Sequence, residues 1–263
     1  GGSGIARVQA SDSREFLEGD LVRAQTGWQT FSIHEPEKLT KTDNTIESEL
    51  HLGALGTNGL TAYFGMTDVG KVQKNETVLI SAAAGSVGHL AGQIAKAKGA
   101  KVIGVCGSES KCSILVNELG FDAAINHQSE DFREQLRNAT PNRIDVFFDN
   151  TGGIILQSAL FRMAVGGRIV CCGVASQYDT SNPAPGPRGV PGLLINNRVR
   201  MQGFLIFDYL DRFSEARAAI SDWLKTGYIE PRATVYKGLK SAPTAFIDLL
   251  AGTTVGTTIV KVD

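Results

Sequence analysis

The segment Thr77–Gly88, TVLISAAAGSVG, concentrates residues whose types and spacing have chemical consequence. An apolar run enters a turn of small side chains, and Gly85-Ser86-Val87-Gly88 opens what reads as a helix. Small residues let a backbone approach a pyrophosphate closely, and a helix N-terminus offers it free N–H groups and a positive dipole end. The full GxGxxG spacing is broken, because Ala83 stands at the first glycine; Ala82, Gly85 and Gly88 leave AxxGxxG. Turns of this kind also occur in sheets that bind nothing, so the strand–turn–helix–strand order around it carries the dinucleotide reading. The next strand ends Val105-Cys106-Gly107-Ser108, with no carboxylate where an NAD site places one, ~20 residues on. Glu109 lies slightly beyond, and Lys111 opens the following helix. A glycine turn followed by lysine accepts a 2′-phosphate that a carboxylate would repel, so NADP(H) is expected over NAD(H). Lys111 reads otherwise as a solvated lysine, slightly unfavourable at the positive end of its helix.

The elements that would position this turn alternate regularly. Thr77–Ser81 reads as a buried strand, Val87–Lys98 as a helix closed by Gly99-Ala100, and Lys101–Cys106 as a second strand. Lys111–Leu119 is helical, Ala123–Asn126 a short strand, Asp131–Asn138 helical and Asp145–Phe148 a strand. Ile154–Met163 is a further helix and Arg168–Cys172 a fifth strand. Strands apolar on both faces, in serial β-α units, predict an α/β fold with a doubly wound parallel sheet of the Rossmann type. Arg200–Phe207 reads as another strand, at the sheet edge, and Leu210–Thr226 as an amphipathic helix ended by Gly227. Outside this region, Ile5–Ala10, Asp20–Arg23 and the C-terminal residues are short β-like pieces, and 36–52 is a polar segment leading into a helix. Asn182–Gly192, NPAPGPRGVPG, follows the fifth strand. It is either a surface linker or, beyond the strand C-termini where open α/β sheets bind ligands, one wall of a substrate pocket.

The 263 residues carry 26 basic and 27 acidic side chains, a formal net charge of -1. No basic excess is available to neutralise phosphates, so a nucleic-acid partner is not expected. No apolar run approaches the ~18 residues of a membrane span, and the opening residues carry no secretory pattern, so a cytoplasmic location is expected. Cys106, Cys112, Cys171 and Cys172 lie in or beside apolar stretches and read as buried, reduced thiols. His34, His51, His89 and His127 are scattered, and nothing has the Cys/His spacing of a zinc site, so no metal is expected.

The blocks GLTAYFG (59–65), SAAAGSVG (81–88), GQIAKAKG (92–99), ELGFDAAIN (118–126), DVFFDNTGG (145–153), GRIVCCGVASQY (167–178), RMQGFLIFDY (200–209) and GTTIVKV (256–262) span nearly the whole chain. They resemble the zinc-independent medium-chain dehydrogenase/reductases. Within these they are similar to the leukotriene B4 dehydrogenase, prostaglandin reductase and alkenal double-bond reductase group, with bacterial curcumin-reductase-like members nearest. The resemblance implies NADPH-dependent reduction of the C=C bond of an α,β-unsaturated aldehyde or ketone. Hydride adds to the β-carbon and leaves an enolate oxygen to be stabilised. It implies a catalytic role for Tyr178, ending CGxxSxY, as hydrogen-bond donor to that oxygen; the residue also reads as a structural loop tyrosine. Around the cofactor the likeness places Gly85, Ser86, Val87, Gly88, Lys111, His127, Asn150, Cys172, Gly173, Val174, Ala175, Ser176, Tyr178, Phe204, Leu205, Ile206 and Thr254. Asn150 reads alternatively as an Asx-type turn cap in DNTGG. A homodimer is expected, paired near Arg200–Phe207.

Several positions depart from the family pattern. His127 stands where the family often has tyrosine, Thr254 where it commonly has asparagine, and GTNG (56–59) where GMPG is common. The resemblance divides the chain into a Rossmann domain over 57–226 and a GroES-like β-barrel over 1–56 and 227–263. Gly2–Val22 resembles the middle of that barrel, so the barrel is expected to be partial. Two alternatives follow: an NADPH-binding protein with little catalysis, or an NADPH:quinone reductase.

Overall fold

Val78, Leu79 and Ile80 are buried on both faces, as are Val102, Ile103 and Val105, and Val146, Phe147 and Phe148. Runs like these satisfy the hydrophobic effect only as interior strands covered by helices on either side. The computed structural model, which describes residues 2–178, 180–182 and 186–262, has this arrangement. Strands β1 (Gly4–Arg7), β2 (Leu21–Ala24) and β3 (Thr40–Lys41) form an antiparallel sheet, followed by α1 (Ser48–Leu52) and α2 (Thr57–Phe64). Then come β4 (Thr77–Ile80), α3 (Gly88–Ala97), β5 (Lys101–Cys106), α4 (Glu109–Asn117), β6 (Ala123–Asn126) and α5 (Phe132–Ala139). The chain continues through β7 (Ile144–Asp149), α6 (Gly153–Leu160), β8 (Met163–Cys171), α7 (Val190–Asn197), β9 (Arg200–Gly203) and α8 (Phe213–Lys225). It ends with β10 (Ala233–Lys237), α9 (Ala242–Leu250) and β11 (Thr257–Lys261), the two strands pairing in parallel.

The central sheet has six parallel strands in the order β6-β5-β4-β7-β8-β9. One face is covered by Leu60, Phe64, Leu90, Ile94 and Ile220 from α2, α3 and α8. The other is covered by Phe132, Leu136, Ile155 and Leu160 from α5 and α6, with Leu194 of α7 packed against them. Strand order reverses between β4 and β7, so the helices after them leave on opposite faces and open a crevice there. No helix among the described residues is long and apolar enough to cross a membrane.

Three expectations from the sequence are corrected. The edge strand stops at Gly203, and Ile206–Arg212 is a 3-10 helix. Packing draws the chain off the sheet: Phe204 and Tyr209 meet edge-on at 6.3 Å, and Tyr209 stacks on Phe64 at 4.3 Å. The end of NPAPGPRGVPG is not loop, because Val190-Pro191-Gly192 starts α7, with Pro191 in the first turn, where a missing N–H is harmless. Pro183, Ala184 and Pro185 of that segment lie outside the described residues. The C-terminal β-like stretch contains α9, likewise begun by a proline, Pro243.

Helix α3 is fastened to the C-terminal segment by buried polar side chains. His89 is fully buried; its Nδ1 donates to Gly85 O (2.8 Å) and its Nε2 accepts the Arg232 N–H (3.1 Å). Accepting at Nε2 fixes the neutral tautomer with its proton on Nδ1. Gln93 Oε1 accepts the Glu230 N–H (2.6 Å), while its Nε2 donates to the carbonyls of His89 (3.0 Å) and Glu230 (3.3 Å). Burial pushes His89 down from 6.5 to about 4. Between those values the unfolded imidazole binds a proton that the folded one refuses, so stability falls as pH drops through this window. The full loss is on the order of 3 kcal/mol. Urea unfolding at pH 7 and pH 4.5 checks this, with a smaller loss expected in His89→Gln; equal losses would remove His89 as the cause.

Candidate active site

The crevice between β4 and β7 is organised by Asp149, only 2% exposed at the end of β7. Its Oδ1 accepts the Ser81 hydroxyl (2.8 Å) and the N–H groups of Thr151 and Gly152 (3.0 Å each). Asn150 returns the connection: its N–H donates to Ser81 Oγ (2.8 Å) and its Nδ2 to Ser81 O (2.7 Å). The Asp149 carbonyl accepts the N–H groups of Cys172 (2.8 Å) and Gly173 (3.1 Å), which ties in the loop after β8. Sequence reasoning singled out Asn150 and passed over Ser81 and Asp149. The available signal was an aspartate ending an apolar strand before Asn-Thr-Gly-Gly, where a carboxylate captures the following turn.

The turn after β4 is shaped for close backbone approach. Ala82 has φ +46°, and its carbonyl accepts the Gly85 N–H at 2.9 Å. A Cβ at Gly88 would lie 2.3 Å from Ala82 O, so no side chain fits there; at Gly85 the same distance is 3.2 Å. The N–H groups of Val87 and Gly88 have no acceptor among the described residues, whereas the Ser86 N–H faces Gly256 O in the bridge to the C-terminal segment. These donors at the start of α3 suit a diphosphate. The turn also meets the C-terminal segment: Gly256 N donates to Ala84 O (2.8 Å), Ser86 Oγ donates to Gly256 O (3.0 Å), and Gly85 bridges Gly256. Gly256 has φ +67°, and a Cβ there would stand 1.9 Å from Arg232 O.

At the ends of β5 and β6, Gly107, Ser108, Lys111 and His127 gather. Ser108 caps α4 by accepting the Lys111 N–H at 3.3 Å. A Cβ on Gly107 would be 3.5 Å from His127 Nε2. His127 is half-buried, and burial lowers its affinity for a proton. Lys111 Nζ crosses to Gly252 O (2.5 Å) and Thr254 O (2.7 Å), and burial lowers its pKa too. Lys111 and the Thr254 backbone therefore touch in this structure. The Thr254 side chain is buried and accepts the Thr258 hydroxyl at 3.1 Å.

The Cys172–Tyr178 turn lies on the 150–151 loop. Ala175 N donates to Asn150 O (3.0 Å), and Ser176 donates through N (3.2 Å) and Oγ (2.6 Å) to Thr151 O. Val174 is exposed, and its N–H donates to Tyr178 Oη at 3.3 Å. Tyr178 is 63% exposed; accepting from Val174 leaves its own O–H proton free to donate. Leu205 is exposed, whereas Ile206 is buried and Phe204 packs against the core, so these two turn their side chains inward. Among the described residues no group of three or more His, Cys, Asp or Glu could hold a metal ion.

A family model described as "Zinc-binding dehydrogenase" matches residues 86–222. The chain is 37% identical over 266 residues to NADPH-dependent curcumin reductase of Escherichia coli, covering 99% of this chain and 77% of that protein. It is 40% identical over 266 residues to 2-alkenal reductase (NADP(+)-dependent) of Nicotiana tabacum, covering 99% and 76%. The crystal structure of CurA in complex with NADPH from Vibrio vulnificus superposes with a TM-score of 0.94 at 38% identity, over 100% of this chain and 79% of that one. The turn's geometry gives a direct test. Gly88→Ala is expected to destabilise the protein by about 1–3 kcal/mol through overpacking, and Gly85→Ala by less than half as much. Chemical denaturation checks both; equal losses would show that close approach at Gly88 does not hold the turn.

Proposed function

Because the chain belongs to the medium-chain dehydrogenase/reductases, in their zinc-independent group of alkenal, prostaglandin and curcumin reductases, we propose that it reduces the C=C bond of an α,β-unsaturated aldehyde or ketone with NADPH. The observation that carries the reading is one crevice lined by a phosphate turn with free N–H donors and by a phenol whose proton is unspent. NADPH, when bound, supplies the hydride that adds to the substrate β-carbon. The chain's own work is to hold the cofactor and to stabilise the enolate oxygen.

In this proposal the N–H groups of Val87 and Gly88 receive the diphosphate, with Gly85 and Gly88 allowing its approach and Ser86 beside it. Lys111 and His127 meet the 2′-phosphate, Lys111 exchanging two carbonyl partners for a dianion, a stronger charge-assisted bond. Asn150 and the backbone from Cys172 to Ser176 run along the nicotinamide ribose, with Phe204, Leu205 and Ile206 around the ring end, while Thr254, whose carbonyl holds Lys111, lies at the 2′-phosphate end. Tyr178 donates to the developing oxyanion, and Val174 N–H, donating to the phenol oxygen, strengthens that donor. Residues 57–226 act as the cofactor unit, and 1–56 with 227–263 as the unit closing over the substrate. The four free cysteines suit a reducing, cytoplasmic setting. Strand β9, at the end of the sheet order and largely exposed, suits edge pairing with a second copy.

Steady-state NADPH oxidation with 2-alkenals, enones and quinones tests the reading; turnover of alkenals is expected, and turnover of quinones alone would overturn it. Tyr178→Phe is expected to lower kcat/KM by about 10²–10³, the usual effect of losing one oxyanion donor. Lys111→Ala should raise KM for NADPH about tenfold or more and leave KM for NADH nearly unchanged. A parallel loss with both cofactors would remove Lys111 from the 2′-phosphate.

A further inference from the structure

Helices α5 and α6 form a half-open cavity of about 440 Å³ on the face of the sheet away from α3, lined by Arg133, Leu136, Arg137, Ser158, Phe161 and Arg162. Its size is that of a small-molecule pocket. It sits at the opposite end of the strands from the phosphate turn, because both helices run back toward the strand starts. Accordingly Ile144 N, at the start of β7, donates to Arg162 O at 3.0 Å.

The charged lining of this cavity lacks internal partners. The arginines form a concentration of positive charge with little to oppose it. Arg137 meets only the exposed Glu134, at 3.3 Å, and among the described residues neither Arg133 nor Arg162 pairs with a carboxylate. Arg162 donates through Nε to Thr140 Oγ1 (3.2 Å) and through Nη2 to Thr140 O, leaving further N–H groups unspent. Burial first, then the charges of Arg143 and Arg137, lowers its pKa, as expected of cations crowded together. The negative helix C-termini account for Arg137 and Arg162. They do not account for Arg133, in the first turn of α5, where the dipole opposes a cation.

We propose that this cavity binds an amphipathic monoanion, an aryl or medium-chain acyl carboxylate. Its head meets Arg133 and Arg137, and its apolar body lies against Leu136 and Phe161.

Calorimetric titration of the NADPH-saturated protein with 2-naphthoate and with decanoate tests the assignment. At least one probe should bind saturably at one site per chain, with the same affinity in the absence of NADPH. The neutral 2-naphthalenemethanol should bind about tenfold more weakly than 2-naphthoate, the loss expected when a charged hydrogen bond is removed. Arg133→Glu with Arg137→Glu, both at exposed positions, should weaken the carboxylate by at least that factor and leave NADPH affinity unchanged. The proposal is overturned if neither probe saturates, if NADPH competes with the probe, if the neutral analogue binds equally well, or if the double reversal has no effect. NADPH affinity, read separately, keeps this outcome distinct from the reductase reading.

Discussion

Asp149 has to be satisfied by donors arriving from three segments at once, and that requirement shapes the whole crevice. A carboxylate buried at a strand end is costly unless hydroxyl and N–H groups surround it. Here the donors are Ser81 from the end of β4 and Thr151 and Gly152 from the turn that follows β7. With its own carbonyl Asp149 also holds Cys172 and Gly173 after β8. Adjacent strands in a doubly wound sheet pair anyway, but their following loops diverge at the point where strand order reverses. The Ser81–Asp149–Asn150 connections hold those loops together where they would separate. The phosphate turn on one side and the Tyr178 loop on the other inherit their positions from it.

A second constraint joins parts of the chain far apart in sequence. The turn after β4 has Gly256 bonded to Ala84 and Ser86, and Gly256 can occupy that position only because it has no side chain. Just behind, His89 and Gln93 fix the 230–232 backbone to α3. A turn of small residues would otherwise have considerable freedom. Pinned from behind, it keeps its N–H groups aimed at the crevice before any ligand arrives, which lowers the ordering cost of binding.

The parts legible in the sequence are those where local pattern and tertiary burial agree. Lys101–Cys106 and Ala123–Asn126 were expected with the bounds the structure has, because short apolar runs between a helix end and a turn admit few alternatives. Val190–Asn197 was obscured because proline and glycine read as breakers, although Pro191 sits where a helix tolerates it. The departure of the chain from the sheet after Gly203 depends on aromatic contacts among Phe64, Phe204 and Tyr209, which join positions 140 or more apart on one side. The glycine turn was readable as a ligand site from its composition. Asp149 and His89 were not, since a buried polar residue is defined by partners that only the fold supplies.

The cysteines near the crevice bear on a hazard peculiar to electrophilic substrates. Enals and enones alkylate thiolates, and a catalyst for such compounds risks being consumed by them. Burial, with Asp149 adding its negative charge, pushes Cys172 up to about 12 and Cys171 up to about 11. Burial likewise raises Cys106 and Cys112, whose sulfurs lie 3.0 Å apart. At neutral pH roughly one in 10⁴ to 10⁵ of the Cys171 and Cys172 side chains is then nucleophilic, against a few per cent for an unperturbed thiol. The same buried carboxylate that assembles the crevice thereby helps protect it from self-inflicted covalent inactivation.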